Sequence, residues 1–109
     1  MEKIIDLKVL HNRIAAENLA LLYISKQNCS VCHALLPQVE ILLEKYPFIQ
    51  SMQVDAEEVP AIAGTYSIFT VPVVIFFVNG KEMFREARFV PMEELKKQID
   101  KLVTLIIDQ

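Results

Sequence analysis

The chain has 109 residues, of which 53% are hydrophobic, and a formal net charge of −3 at pH 7. This length and composition indicate one compact domain over residues 1–109, large enough to bury a core. Because lysine and arginine form no cluster, the charge pattern argues against nucleic acid and membrane surfaces as partners.

The N-terminal half of the chain alternates between helix-like and strand-like patterns of hydrophobic residues. A first helix begins after Asp6, a candidate N-cap, and ends near Asn18. Residues 19–24 are continuously apolar, as expected for a strand covered on both faces, and a polar turn occupies residues 25–28. The next helix opens at the two cysteines and stops before Pro47.

The C-terminal half continues this alternation. It contains, in order, a strand over 48–54, a short helix over 61–66, a central strand over 73–78 and an antiparallel strand over 82–87. Asn79-Gly80 is a strong signal for a type I′ hairpin between the last two strands. Pro91 starts a final helix whose apolar face consists of Leu95, Ile99, Leu102 and Ile106. The predicted order of elements is αβαβαββα.

Neither the N-terminus nor the longest apolar run predicts export or membrane insertion. Residues 1–6 lack the basic region, long apolar run and small-residue cleavage site of a secretion signal. The apolar run over 71–78 is far shorter than the roughly 20 residues that a membrane helix needs. We therefore expect a cytoplasmic protein.

The chain has two cysteines, Cys29 and Cys32, which lie where a strand gives way to a helix. A helix N-terminus favours thiolate over thiol, because its unpaired N–H groups and the helix dipole stabilise negative charge. Cys29 is therefore expected to be the reactive thiol and Cys32, one turn further on, the sheltered resolving thiol. Such a pair can exchange with a disulfide of another protein through a mixed disulfide.

Five features appear in order along the chain: a strand followed by Cys29-x-x-Cys32, a helix proline at Pro37, Val54-Asp55 at a strand end, Thr70-Val71-Pro72, and Val78-Asn79-Gly80-Lys81. With these features in this order, the chain resembles the thioredoxins over nearly its whole length. The resemblance implies a protein-disulfide oxidoreductase with the α/β thioredoxin fold, a mixed four-stranded β-sheet flanked by helices. It also implies that Pro72 is a cis proline beside the cysteines, and that Thr70, the Val71 backbone and Pro72 bind and position an extended client peptide.

The chain departs from the thioredoxin pattern at positions that tune the chemistry. Ser30 and Val31 lie where the common thioredoxin has Gly-Pro, and the N–H that Val31 regains is expected to make the disulfide more oxidising. Tyr23 aligns with the family's buried acid; because tyrosine is a poor base at neutral pH, we expect slow deprotonation of Cys32. Arg88 replaces a glycine after the last strand, where a bulky cation narrows the client groove or selects acidic clients.

Two further residues are candidates for tuning the thiols by their charge. Lys26 lies in the turn before Cys29, and His33 follows Cys32 directly. His33 also completes C-x-x-C-H, the attachment signature of c-type haem, but that attachment needs an exported chain. The other histidine, His11, belongs to the first helix, so no closed metal site is expected within one chain.

These observations predict a cytoplasmic thiol–disulfide oxidoreductase in which Cys29 attacks a client disulfide and Cys32 resolves the mixed disulfide. We expect a monomer without a bound cofactor. Its expected partners are disulfide-containing proteins and an external reductant, such as a flavin-dependent reductase or a small thiol. Two alternatives stay open: a peptide-binding module of the same fold with little turnover, and a dimer that shares a metal cluster through Cys29 and Cys32.

Overall fold

A computed structural model describes residues 1–107, which contain five strands and four helices. The strands are β1 (Glu2–Lys3), β2 (Leu19–Ser25), β3 (Gln50–Asp55), β4 (Val73–Val78) and β5 (Lys81–Ala87). The helices are α1 (Leu7–Ala16), α2 (Ser30–Leu43), α3 (Ile62–Tyr66) and α4 (Met92–Ile107). The predicted order of elements is confirmed from α1 onward. The strand β1 was not predicted, because two residues are too few to show the alternating pattern of a strand.

The strands form one mixed sheet in the order β1-β3-β2-β4-β5. The strands β1, β3 and β2 run parallel, whereas β4 pairs antiparallel with both β2 and β5. The predicted mixed sheet flanked by helices is confirmed, although it has five strands rather than four. Its middle strand is β2, so the prediction of β4 as the central strand is wrong by one position.

Helices cover both faces of the sheet, which explains why the inner strands are continuously apolar. The first face packs against α1 and α3, and the second packs against α2 and α4. Because side chains alternate along a strand, Leu22 and Ile24 of β2 point to the first face, and Leu21 and Tyr23 point to the second. Tyr23 therefore lies under α2, the helix that begins at the cysteines.

Local sequence signals fix most of the element ends. Asp6 caps α1, since the Val9 N–H donates to its Oδ1 at 3.1 Å, and the helix ends at Ala16 rather than near Asn18. The strand predicted over 48–54 begins two residues later, as β3. The β4–β5 hairpin has positive φ angles of 50° and 79° at Asn79 and Gly80, as a type I′ turn requires.

The buried face of α4 differs from the prediction. Leu95, Ile99 and Val103 are buried at an i, i+4 spacing, whereas Leu102 and Ile106 are only partly buried. The buried face is therefore turned slightly around the helix axis relative to the predicted one. The sequence does not distinguish the two faces, because apolar residues also flank the buried positions. Within residues 1–107, no helix combines the length and hydrophobicity that crossing a membrane requires.

Candidate active site

Cys29 and Cys32 lie at the junction of β2 and α2 and form a disulfide, with their Cα atoms 5.2 Å apart. The turn between the two elements is closed by the Cys29 N–H, which donates to the Lys26 carbonyl at 3.2 Å. Cys29 is partly exposed, whereas Cys32 is only 1% exposed. Cys29 is therefore more accessible from solvent than Cys32.

Cys29 caps α2 with its own sulfur atom. The backbone N–H of Cys32 donates to Cys29 Sγ at 3.1 Å, and the first turn of this 14-residue helix carries no acidic side chain. When the disulfide is reduced, this N–H group and the positive end of the helix dipole stabilise negative charge on Cys29. The local backbone thus provides what a nucleophilic thiol needs.

A tyrosine lies beneath the disulfide. Tyr23 is fully buried, and its hydroxyl donates to the backbone carbonyl of Cys32 at 2.5 Å. The next carbonyl in the helix, that of His33, receives no hydrogen bond from residue 37, because Pro37 has no backbone N–H. Burial raises the pKa of Tyr23 to about 12, so the hydroxyl keeps its proton at neutral pH. Tyr23 therefore supports the helix backbone and does not act as a base toward Cys32.

The loop before β4 lies beside the nucleophile. The Val71–Pro72 peptide bond is cis, in agreement with the family resemblance. Thr70 and Val71 line one side of a groove of about 330 Å³ whose other side includes Cys29. Both residues are partly exposed, whereas Pro72 is buried. Among the described residues, Thr70 and Val71 therefore line the groove next to Cys29, whereas the predicted client-binding residue Pro72 does not.

The two residues between the cysteines also face this groove. Ser30 is exposed as the first residue of α2, and Val31 is 54% exposed. Both line the groove together with Cys29. The structure thus brings five of the candidate site residues to one surface: Cys29, Ser30, Val31, Thr70 and Val71.

Lys26 and His33 lie elsewhere. The His33 ring donates through Nε2 to the Gln27 carbonyl at 2.6 Å, which holds the ring against the turn before α2. Both side chains line a separate polar hollow of about 320 Å³, together with Asp55 and Glu58. In the described part of the chain, neither side chain forms a hydrogen bond with a cysteine sulfur.

The described residues bring few potential metal ligands together. Among residues 1–107, no three side chains of histidine, cysteine, aspartate or glutamate are grouped so that they can hold a metal ion. His33, the histidine nearest in sequence to the cysteines, uses its Nε2 on a backbone carbonyl instead. Cys29 and Cys32 can therefore supply only half of a tetrahedral site from one chain.

Arg88 and Phe89, the two residues after β5, complete the groove. The Arg88 N–H donates to the Pro72 carbonyl at 2.7 Å, and Arg88 has a positive φ of 72°. Phe89 is 79% exposed. Arg88 was expected at this groove from the sequence, whereas Phe89 was not, because its only sequence signal is a large apolar residue between a strand end and Pro91.

Comparisons with known proteins agree with this geometry. The family model described as Thioredoxin matches residues 4–101. The thioredoxin-like protein YdfQ of Bacillus subtilis is 40% identical over 102 residues, which cover 88% of this chain and 91% of that protein. Thioredoxin of Chlamydia trachomatis is 31% identical over 79% of this chain and 84% of its own length. The structure of Plasmodium falciparum thioredoxin has the same fold, with a TM-score of 0.84 at 19% identity over 93% of this chain and 98% of that one.

Proposed function

The chain belongs to the thioredoxin family and is a thiol–disulfide oxidoreductase, and we propose that Cys29 is its nucleophile and Cys32 its resolving thiol. The observation that carries this assignment is the difference between the two sulfur positions. Cys29 caps the helix and is open to the groove, whereas Cys32 is buried. In a thiol pair of this kind, the exposed thiol with the stabilised thiolate attacks first.

The proposed reaction exchanges one disulfide for another. The Cys29 thiolate forms a bond with one client sulfur, and the other client sulfur leaves as a thiolate. Cys32 then loses its proton to solvent and attacks the Cys29 sulfur, which releases the second client thiol and forms the Cys29–Cys32 disulfide. Two electrons pass from the protein to the client, and an external reductant returns them.

The proposed clients bind in the groove as extended peptides. Thr70 and Val71 are partly exposed and line the groove, a position from which the Val71 backbone can pair with such a peptide in a strand-like manner. We propose that the partners are disulfide-containing proteins and a flavin-dependent reductase or small thiol. We further propose that residues 1–109 act as one domain, monomeric and cytoplasmic.

Redox titration tests the proposal. The purified protein is equilibrated with graded ratios of reduced to oxidised dithiol, free thiols are trapped, and the state of the cysteine pair is read by mass. Insulin reduction is followed in the same sample. We expect a reversible two-electron transition together with insulin reduction. A pair that cycles without reducing a client supports the peptide-binding alternative, and a coloured dimer supports the cluster-sharing alternative.

Trapping assigns the two roles. Cys32→Ser removes the resolving thiol, so we expect a stable mixed disulfide between Cys29 and a client peptide. The matched variant Cys29→Ser keeps one thiol but removes the nucleophile, so no adduct is expected in the same time. Adducts of equal yield in both variants contradict the assignment.

A further inference from the structure

The groove over Cys29 contains a cation that disulfide exchange itself does not use. Arg88 lines this groove and also a second hollow of about 470 Å³ that follows α2 toward the start of α4. Val31 and Phe89 line both spaces as well. Arg88 therefore borders both spaces, one of which is the groove that Cys29 lines.

The backbone at Arg88 is unfavourable for an arginine. Residues 87–89 form a tight turn closed by the Phe89 N–H, which donates to the Ala87 carbonyl at 2.8 Å. Arg88 is the middle residue of this turn, and its φ of 72° is in the left-handed region that favours glycine. A residue kept in such a conformation beside a reactive site suggests a use for its side chain.

Arg88 also gives the groove its charge. Among the described residues, the lining of the groove includes no other charged side chain. In the second hollow the charged neighbour is Glu86, whose Oε1 already accepts a hydrogen bond from Gln98 at 2.8 Å. Within residues 1–107, no carboxylate forms an ion pair with Arg88. The site therefore presents a positive charge that no carboxylate of residues 1–107 neutralises in an ion pair.

We propose that Arg88 selects clients by charge, favouring an extended segment with an aspartate or glutamate next to the cysteine that Cys29 attacks. This inference rests on the proposed function, because it describes how clients of that reaction are chosen. The exposed apolar residues Val31 and Phe89 line the groove together with Arg88. A bound client covers this surface, which reduces solvent screening and strengthens the ion pair relative to one on an open surface.

Three peptides test the proposal. Each is closed by one internal disulfide, and its cysteines are flanked by glutamate, glutamine or lysine. Reduced protein in excess is mixed with each peptide, and the single-turnover rate constant is divided by that measured with dithiothreitol, which corrects for the peptide's own reactivity. At low ionic strength we expect the glutamate peptide to react about tenfold faster than the lysine peptide, and salt to shrink this ratio.

Variants of Arg88 identify the source of the selection. We expect Arg88→Gln to reduce the ratio to about twofold, Arg88→Lys to retain most of it and Arg88→Glu to invert it. The control Lys8→Gln removes the same charge from an exposed position on α1, away from the groove, and leaves the ratio unchanged. Circular dichroism checks that each variant is folded.

The outcomes separate this inference from the proposed function. Equal corrected rates for the three peptides overturn the charge selection, as does a ratio that survives in a folded Arg88→Gln variant. Failure of the protein to reduce any of the peptides, or insulin, overturns the proposed function instead.

Discussion

The two sulfur atoms of the disulfide have opposite surroundings. Cys29 faces an open groove, receives an N–H hydrogen bond and lies at a helix N-terminus. Cys32 lies in the core above Tyr23, a side chain that holds its proton at neutral pH. In the proposed reaction, these surroundings favour the first attack, by Cys29, whereas the second attack, by Cys32, begins with the loss of a proton from a buried thiol.

This difference sets the order of rates that we expect in the cycle. A thiol must become a thiolate before it attacks, and burial in apolar surroundings disfavours the thiolate. We therefore expect the mixed disulfide to form readily and to resolve slowly. A long-lived mixed disulfide keeps the client in the groove for longer. The contacts between groove and client then have a larger effect on which clients are reduced.

The largest expected effect comes from supplying a base under Cys32. In Tyr23→Asp, a carboxylate at this position accepts the Cys32 proton, and we expect the mixed disulfide to resolve at least about tenfold faster. Because burial raises the pKa of that carboxyl, the gain increases with pH. Single-turnover release of a fluorescent client peptide measures the rate.

Tyr23→Asn is the matched control for Tyr23→Asp, since asparagine is similar to aspartate in size and polarity but has no carboxylate to act as a base. Both substitutions remove a fully buried aromatic ring, and we expect each to lower the free energy of unfolding by about 3 kcal/mol or more. Release is therefore compared at a temperature where both variants are folded. Equal release rates in the two variants show that proton removal from Cys32 is not the slow step.

A smaller effect is expected when only the Tyr23 hydroxyl is removed. Tyr23→Phe leaves the ring in place but removes the hydrogen bond to the Cys32 carbonyl, so we expect the free energy of unfolding at pH 7 to fall by about 1.5 kcal/mol. Urea unfolding measures this change. A stability equal to that of the unchanged chain contradicts a structural role for the hydroxyl.

The stability difference between the unchanged chain and Tyr23→Phe depends on pH. The pKa of Tyr23 rises from its ordinary value of 10.0 to about 12 on folding, so the unfolded chain releases this proton first. The contribution of the protonated hydroxyl to stability is therefore complete below pH 10 and is lost as the pH rises toward 12. Since phenylalanine does not titrate, the stability difference between the two proteins narrows and then changes sign as the pH approaches 12, because a rise of two pKa units is worth about 2.7 kcal/mol.

The sequence alone predicted the features that depend on neighbours along the chain. The strand-to-helix position of Cys29, the Asp6 cap and the Asn79-Gly80 turn all follow from local patterns. The family resemblance added the cis bond before Pro72. These features are enough to identify the fold and the cysteine pair.

Features that depend on distant contacts were not predictable in the same way. The strand β1 exists because Glu2 pairs with Met52, some fifty residues away. The sequence placed Tyr23 near Cys32, but only the structure shows that its hydroxyl is taken by a backbone carbonyl. Likewise, the sequence shows that Arg88 follows β5, but it does not show the positive φ of Arg88 or the hydrogen bond from its N–H to the Pro72 carbonyl.

On the Cys29 side, the strained turn predicts a gain in stability. Arg88→Gly removes the cost of a side chain at positive φ, whereas Arg88→Ala shortens the side chain and keeps that cost. We expect the glycine variant to exceed the alanine variant by about 1 kcal/mol in free energy of unfolding, measured with urea. Equal stabilities indicate that the turn relaxes without strain.

The smallest effect is expected for Lys26, which is three residues before Cys29 in sequence. Its side chain is exposed and lines two hollows, neither of which includes Cys29. Because exposed charges are screened by water and salt, we expect Lys26→Gln to lower the rate of Cys29 alkylation by iodoacetamide less than about twofold. Lys8→Gln, on α1, serves as the control and leaves the rate unchanged. An alkylation rate about tenfold lower in Lys26→Gln shows instead that the ammonium group of Lys26 reaches the Cys29 sulfur. The stability of the thiolate then depends on this side chain as well as on the helix N-terminus.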